Sequence, residues 1–263
     1  VVLLACSSHL ESFFFYLFIP MNFTNIFAWN SGEGYSFPLE GFTWKWFIEL
    51  ARDQLAKKAI GNSIVIAVSS ATISTVLASL LSVGLLKGLD GRRGVFLILL
   101  ILPVIMPSLT IGISALVFFR TINIPLGIPI VIVSHVSISM SYVFLILMGR
   151  IEGLSLNLQE ASVDLGASWF SSIRDIVIPV LIPAAVAGWL FAFMISWNEF
   201  IVTYFLVGNN LTLPVYIFSQ LRFGLSPKVN VISVLITLFT LSMIGILLAS
   251  RKIYGKILMK AKQ

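Results

Sequence analysis

Trp197-Asn198-Glu199 sets an indole, an amide and a carboxylate side by side at the end of an uncharged run that begins after Asp175. A carboxylate at membrane depth costs roughly 2.5–3.5 kcal/mol on insertion scales, so it is retained chiefly where it faces a water-filled path or a partner. A cationic solute would be drawn to such a group, and the Trp197 face would add a cation–π attraction of about 0.5–2 kcal/mol. Two structural roles stand beside this reading: Glu199 at the outer interface, or Glu199 paired with a basic residue of a second subunit. Another polar set, His135 with Ser134, Ser137, Ser139 and Ser141, forms a stripe that either lines a path or joins helices by hydrogen bonds. The third is Glu160-Ala161-Ser162-Val163-Asp164-Leu165-Gly166-Ala167-Ser168, whose chemistry is recognition. With two His and one Cys, the chain offers no metal-ligand set, no nucleophile–base pair and no intrachain disulfide. It also lacks a Gly-x-x-x-x-Gly-Lys-Ser/Thr phosphate loop, so it is not itself an ATPase. The sequence reads as a non-enzymatic protein with no cofactor of its own.

The elements that position these residues are membrane helices. Apolar residues make up 58% of the chain and charged residues 11%, and the mean hydropathy is +1.02. A soluble domain carries roughly 25% charged residues. No Asp, Glu, Lys or Arg falls between Lys58 and Lys87, Arg93 and Arg120, Arg120 and Arg150, Asp175 and Glu199, or Lys228 and Arg251. Each run exceeds the roughly 20 residues a helix needs to cross the hydrocarbon core. Unbroken apolar runs are helical, since barrel strands alternate. The expected spans are therefore 61–86, 95–119, 127–149, 178–205 and 229–250. A further span at 1–20 is interrupted by Ser7-Ser8-His9-Leu10-Glu11-Ser12.

Basic residues give the orientation. Lys87, Arg92 and Arg93 follow the 61–86 span, and Arg251, Lys252, Lys256, Lys260 and Lys262 follow the last one. Both groups are expected to be cytoplasmic, which puts the 150–177 segment and the C-terminus inside as well. Arg52, Lys57 and Lys58 fall on the outer side. The net charge of +6 thus reflects membrane topology and a basic tail; nucleic-acid binding would need a soluble basic face, and none is visible.

Within 150–177, Asn157 with Glu160 has the form of a capping box, starting a helix at about 158. Gly166 ends it, because glycine reaches the left-handed conformation a helix stop requires. Ser168 can cap a second helix, with Trp169, Ile173, Ile176 and Val177 on its apolar face. Two short helices at an angle on the membrane surface would make a knob for a soluble partner. An interfacial linker without a partner is the plainer alternative.

The segment resembles the EAA loop of ABC-importer permeases: Glu160, Ala161, Gly166 and Pro179 match the pattern ahead of the second-last span, and Ser162 replaces the second Ala. Leu213–Asn230 resembles the outer loop and final-helix start of spermidine/putrescine-type permeases, in particular their C-type subunit. Trp44-Lys45-Trp46-Phe47 and Asn62-Ser63 are also similar to that subunit. The likeness runs from about Gly41 to Lys252.

This resemblance implies an all-α membrane protein with the type I ABC-importer permease fold. It would have about six transmembrane helices in one domain spanning 1–263, with a cytoplasmic coupling loop at 150–177. It implies a multi-pass protein of the bacterial inner membrane, surrounded by lipid and paired with a second permease in a heterodimer, by likeness to the polyamine systems. Two ATPase subunits, carrying the ATP and Mg, would dock on Glu160, Ala161, Ser162, Asp164, Gly166 and Ala167. An extracytoplasmic solute-binding protein would deliver the solute to a path past Trp197, Asn198 and Glu199. The solute implied is a polyamine, but the same branch serves iron, thiamine and phosphonate, and Trp-Asn-Glu-Phe is common in sugar permeases. Polyamine permeases tend to carry an acidic pair where Asn198 and Glu199 stand here. An ion-coupled secondary transporter using Glu199, or a membrane anchor without transport, would be the reading from another class.

Overall fold

The computed structural model of the chain describes residues 16, 19, 22–32, 37–87, 93–152, 162, 164–222 and 227–260. The 1–20 span, Arg92, Asn157, Glu160 and Ala161 fall wholly or mainly outside these residues. In chain order the helices are α1 (Lys45–Arg52), α2 (Gln54–Gly84), α3 (Arg93–Ile105), α4 (Ser108–Thr121) and α5 (Ile128–Glu152), then α6 (Trp169–Ser172), α7 (Ile178–Asn198), α8 (Ile201–Leu206), α9 (Leu213–Arg222) and α10 (Pro227–Lys260). Apart from a single bridge between Asn30 and Phe42, no strand pairing occurs among the described residues. By length and composition, α2, α5 and the run Trp169–Asn198 are each able to cross a membrane.

Three features depart from the uninterrupted spans expected above. The 95–119 span is broken: α3 and α4 meet at an angle of 104°. Pro107 causes the break, since it sits in an extended conformation ahead of α4 and has no N–H to continue α3. Second, the 178–205 span ends at Asn198; Glu199 is extended and helix resumes at Ile201. Third, the second helix of the polar segment is not a separate surface helix. It runs into α7 through a π-helical turn at Ile173–Val177, just ahead of Pro179 in the first turn of α7; Pro183 lies inside that helix.

The chain divides into two compact units. One comprises residues 1–57 and 216–246. In it the Trp46 indole donates to the Asn30 carbonyl at 2.7 Å, and Trp29 meets Trp44 and Phe47 with ring centres 4.5 Å apart in both cases. Asp53 accepts from the Tyr216 hydroxyl at 2.8 Å and from the backbone N–H groups of Leu55 and Ala56. Burial pushes the Asp53 carboxyl up, but these donors and the Lys228 charge outweigh it and hold the group below the usual carboxylate range. Lys228 also lies 3.5 Å from Glu49.

The other unit, residues 58–215 and 247–263, holds the helix bundle. Its core is formed by Ile66, Ile130, Val131, Ile138, Val202, Leu206 and Val207. α5 and α7 pack closely at Gly188, where an added Cβ would stand 2.9 Å from Val143 Cγ1. Small buried residues on α2 (Ser63, Ala67, Ser70, Ala71, Ser74 and Ala78) repeat at helical spacing, the composition that lets membrane helices approach one another. Ile64, Val65, Val76 and Leu80 on the same helix are exposed. In a membrane protein that surface belongs to lipid or to a partner.

Candidate functional site

The breaks in the spans are joined by one carboxylate. Glu199 accepts the Val202 backbone N–H on one oxygen at 3.1 Å, capping the start of α8. Its other oxygen accepts the Ser108 hydroxyl at 3.3 Å, from the first residue of α4. The half-buried Glu199 thus holds both interruptions in place with hydrogen bonds.

Behind it lies a buried polar network. His135, 2% exposed, contacts Ser196 Oγ through Nδ1 at 2.8 Å and Thr203 Oγ1 through Nε2 at 3.0 Å. Thr203 donates its own proton to the Glu199 carbonyl at 2.7 Å, so it receives Nε2–H, and Nδ1 accepts from Ser196. Ser70 Oγ lies 2.9 Å from Ser196 Oγ. His135 on α5 therefore joins α7 to α8, and Ser196 extends the network to Ser70 on α2. Of the neighbouring serines, Ser134 and Ser137 line a groove of about 380 Å³ with Pro103, Met106 and Phe118. Ser137 donates to the Ser134 carbonyl and Ser141 to the Ser137 carbonyl.

Glu199, Trp197, His135, Ser196, Thr203, Ser63 and Thr212, among others, line a closely packed crevice that leaves no room for a water molecule. The Thr212 hydroxyl is buried with no hydrogen-bond partner among the described residues. Trp197 is 7% exposed and stacks on Phe193, which stacks on Trp189, at successive i, i+4 steps of α7. Asn198 is not brought to the crevice: it is exposed, and its amide donates back to the Met194 carbonyl of its own helix. Of the tripeptide, the structure unites Trp197 and Glu199 only.

The polar segment keeps its local logic where it is described. Gly166 has φ +87°, in the left-handed region. The Ala167 N–H reaches back to the Ser162 carbonyl at 3.0 Å, the six-to-one bond of a Schellman stop. Ser168 Oγ then accepts the Ser171 N–H at 3.2 Å and starts α6. Ser162 donates to Ser172 at 2.7 Å, clipping the turn to the helix. Asp164 is exposed and Ala167 half-buried. The turn projects Leu165, 90% exposed, and Phe170, 71% exposed, while Ile173 and Val177 face inward.

Residues 75–256 match the family described as "Binding-protein-dependent transport system inner membrane component". The chain belongs to this family. It is 31% identical over 230 residues to the spermidine/putrescine transport system permease protein PotC of Escherichia coli (strain K12), covering 87% of each chain. Against the PotC protein of Haemophilus influenzae the identity is 30%, over 87% of this chain and 89% of that one. Against the putrescine transport system permease protein PotI of Escherichia coli (strain K12) it is 30%, over 85% and 82%.

Among solved structures, a bacterial ABC transporter involved in the import of the acidic polysaccharide alginate aligns with a TM-score of 0.70. It has 15% identity and covers 95% of both chains. An amino acid ABC transporter aligns at 0.63 with 15% identity, covering 80% of this chain and 99% of that one. These neighbours show the type I permease fold and say nothing of the solute. The protein is a multi-pass membrane transport component of this family.

Sequence reasoning missed Ser108, Ser196, Thr203 and Thr212 as neighbours of Glu199. One signal was present: Pro107 in the middle of an apolar run marks a place where backbone groups need partners. Nothing local signals that Ser70 and Ser196, 126 positions apart, will meet.

Proposed function

We propose that the chain forms half of the membrane pathway of an ATP-driven importer for a small cationic solute of the polyamine class. The observation that carries this reading is its 31% identity to a spermidine/putrescine permease over 87% of both chains. The geometry supports it with a half-buried carboxylate, Glu199, placed at the junction of two broken helices beside an indole. The helix breaks give Glu199 a setting that can change shape, since each depends on hydrogen bonds and not on a continuous backbone ladder.

The remaining parts follow from the same reading. A second permease supplies the other half of the pathway. Two ATPase subunits, holding ATP and Mg, dock on the polar segment, where Leu165 fits a partner's apolar groove and Glu160, Ala161, Ser162, Asp164, Gly166 and Ala167 shape the knob. The 150–177 segment and the C-terminus are then cytoplasmic, and a solute-binding protein delivers its load on the opposite face. ATP binding draws the two knobs together. Because the knob is continuous with α7 through the π turn, that movement reaches the Glu199 junction along one rigid element.

The test is the ATPase rate of the reconstituted transporter with its binding protein, measured with spermidine, putrescine, maltose and other small solutes. Stimulation by the polyamines is expected. Stimulation confined to a sugar or an anion would overturn the polyamine assignment and leave the family assignment standing.

A further inference from the structure

Helix α1 presents three different faces. At 3.6 residues per turn, Trp46 and Leu50 share one side, and both are buried, 4% and 5% exposed. Trp44, Ile48 and Ala51 share a second, exposed side, with Trp44 at 64% and Ile48 at 51%. Lys45, Glu49 and Arg52 occupy a third; Lys45 and Glu49 lie 4.0 Å apart. A helix wholly in water would not segregate exposed apolar residues from exposed charges. Phe42, 84% exposed just ahead of the helix, and Leu55, 56% exposed just after it, add to the apolar side.

The position of α1 along the chain decides what covers that side. Asp53, in extended conformation, ends α1, and α2 starts at Gln54. From Gln54 to Lys58 the chain rises by about 7 Å before the uncharged membrane run begins at Ala59. The headgroup layer on each side of a bilayer is about 5–8 Å deep. The end of α1 therefore starts within that layer, and exposed Arg52, Lys57 and Lys58 are placed to meet lipid phosphates. Trp44, packed against Trp29 and Phe47, is of the residue type that concentrates at membrane interfaces.

We infer that α1 is an interfacial helix, seated in the headgroup layer where α2 begins, with Phe42, Trp44 and Ile48 buried in lipid. Its inner face holds Trp46 and Leu50 against the protein, exposed Lys45 and Arg52 look to water, and Glu49 is held by Lys228. This inference stands apart from the identity of the solute.

Spin labels decide it. In the assembled transporter in lipid nanodiscs, with Cys6→Ser as background, labels are placed at positions 44, 48, 45 and 52, and collision with oxygen and with a water-soluble nickel chelate is measured. At 44 and 48 oxygen collisions are expected to exceed nickel collisions, with the reverse at 45 and 52. Nickel access at 44 and 48 would show that face in water and overturn the inference. Low access to both reagents would show a protein cover, such as the binding protein, and overturn it equally. Because a cysteine at 44 removes an aromatic contact, quenching by brominated lipid is compared between the unmodified protein and Trp44→Phe. Loss of a quenched component in the variant supports lipid burial, and identical quenching refutes it.

Discussion

Glu199→Gln separates the charge of this side chain from its shape. Glutamine keeps an oxygen to accept the Val202 N–H and an amide nitrogen that can meet Ser108, so both broken helices retain their hydrogen bonds. Charged hydrogen bonds contribute about 1.5–3 kcal/mol and neutral ones about 0.5–1.5, so two weakened bonds cost at most about 2–3 kcal/mol of local stability. The transported cation loses a comparable amount, and that loss falls on uptake and not on the fold. A unit charge 4 Å from an ammonium gains about 4 kcal/mol at an effective dielectric of 20 and about 1 kcal/mol in bulk water. Glu199 is half-buried, which places the effect between these limits. About 2 kcal/mol corresponds to a roughly 30-fold loss. The assay is initial uptake of labelled spermidine into proteoliposomes holding the complete transporter, read as kcat/KM, beside the thermal midpoint of the detergent-purified complex. Ser108→Ala serves as the comparison, since it removes a hydrogen bond to Glu199 but leaves the charge. The expected result is a large fall in uptake for Glu199→Gln and a small one for Ser108→Ala, at similar midpoints. Equal falls in both variants, or undiminished uptake in Glu199→Gln, would refute the role of the charge and leave Glu199 as a helix cap.

Gly166→Val forces a β-branched residue into the left-handed region, at a cost of about 1–2 kcal/mol; an added Cβ meets nothing within 4 Å, so the penalty is purely conformational. Solute-stimulated ATPase is expected to fall with membrane insertion unchanged, and Gly166→Asn, which tolerates that conformation, should restore much of it. Gly188→Ala drives a methyl to within 2.9 Å of Val143 Cγ1 and should cost about 1–3 kcal/mol by overpacking. Val143→Ala in the same chain is expected to recover the thermal midpoint, and an additive further loss would contradict the close α5–α7 approach. Asp53 has a folded pKa below its ordinary value. Its contribution is therefore complete above pH 3.8, the ordinary value, and is lost as pH falls through the lower folded value. Hydrogen exchange in residues 45–57 should accelerate at that acid step, and Asp53→Asn should remove the step.

That the chain forms long apolar helices was legible from the sequence because lipid admits few solutions. Uncharged runs such as Lys58–Lys87 must form internally bonded helices in a bilayer, whatever else the chain does. Local backbone chemistry was equally legible. Gly166 takes the left-handed stop and Ser168 caps the next helix, since each choice depends on residues within a few positions. The same local reasoning did not foresee that α6 runs into α7 through the π turn at Ile173–Val177, because prolines at 179 and 183 read as the entry to a new helix.

What the sequence determined by itself is the kind of molecule: a bundle of apolar helices with one polar knob, one isolated carboxylate and no catalytic set. Only the tertiary structure decided what that carboxylate touches. Pro107 could have been a mild kink, but a 104° bend carries Ser108 to Glu199, 91 positions away. His135 could have faced a path; instead it is committed to Ser196 and Thr203. Asn198, adjacent to Glu199 in the chain, is turned from the crevice by one step of helix and the break that follows. Hydropathy and capping are set by neighbours in sequence, whereas a polar group buried in a bundle takes whichever partner the packing of distant helices delivers.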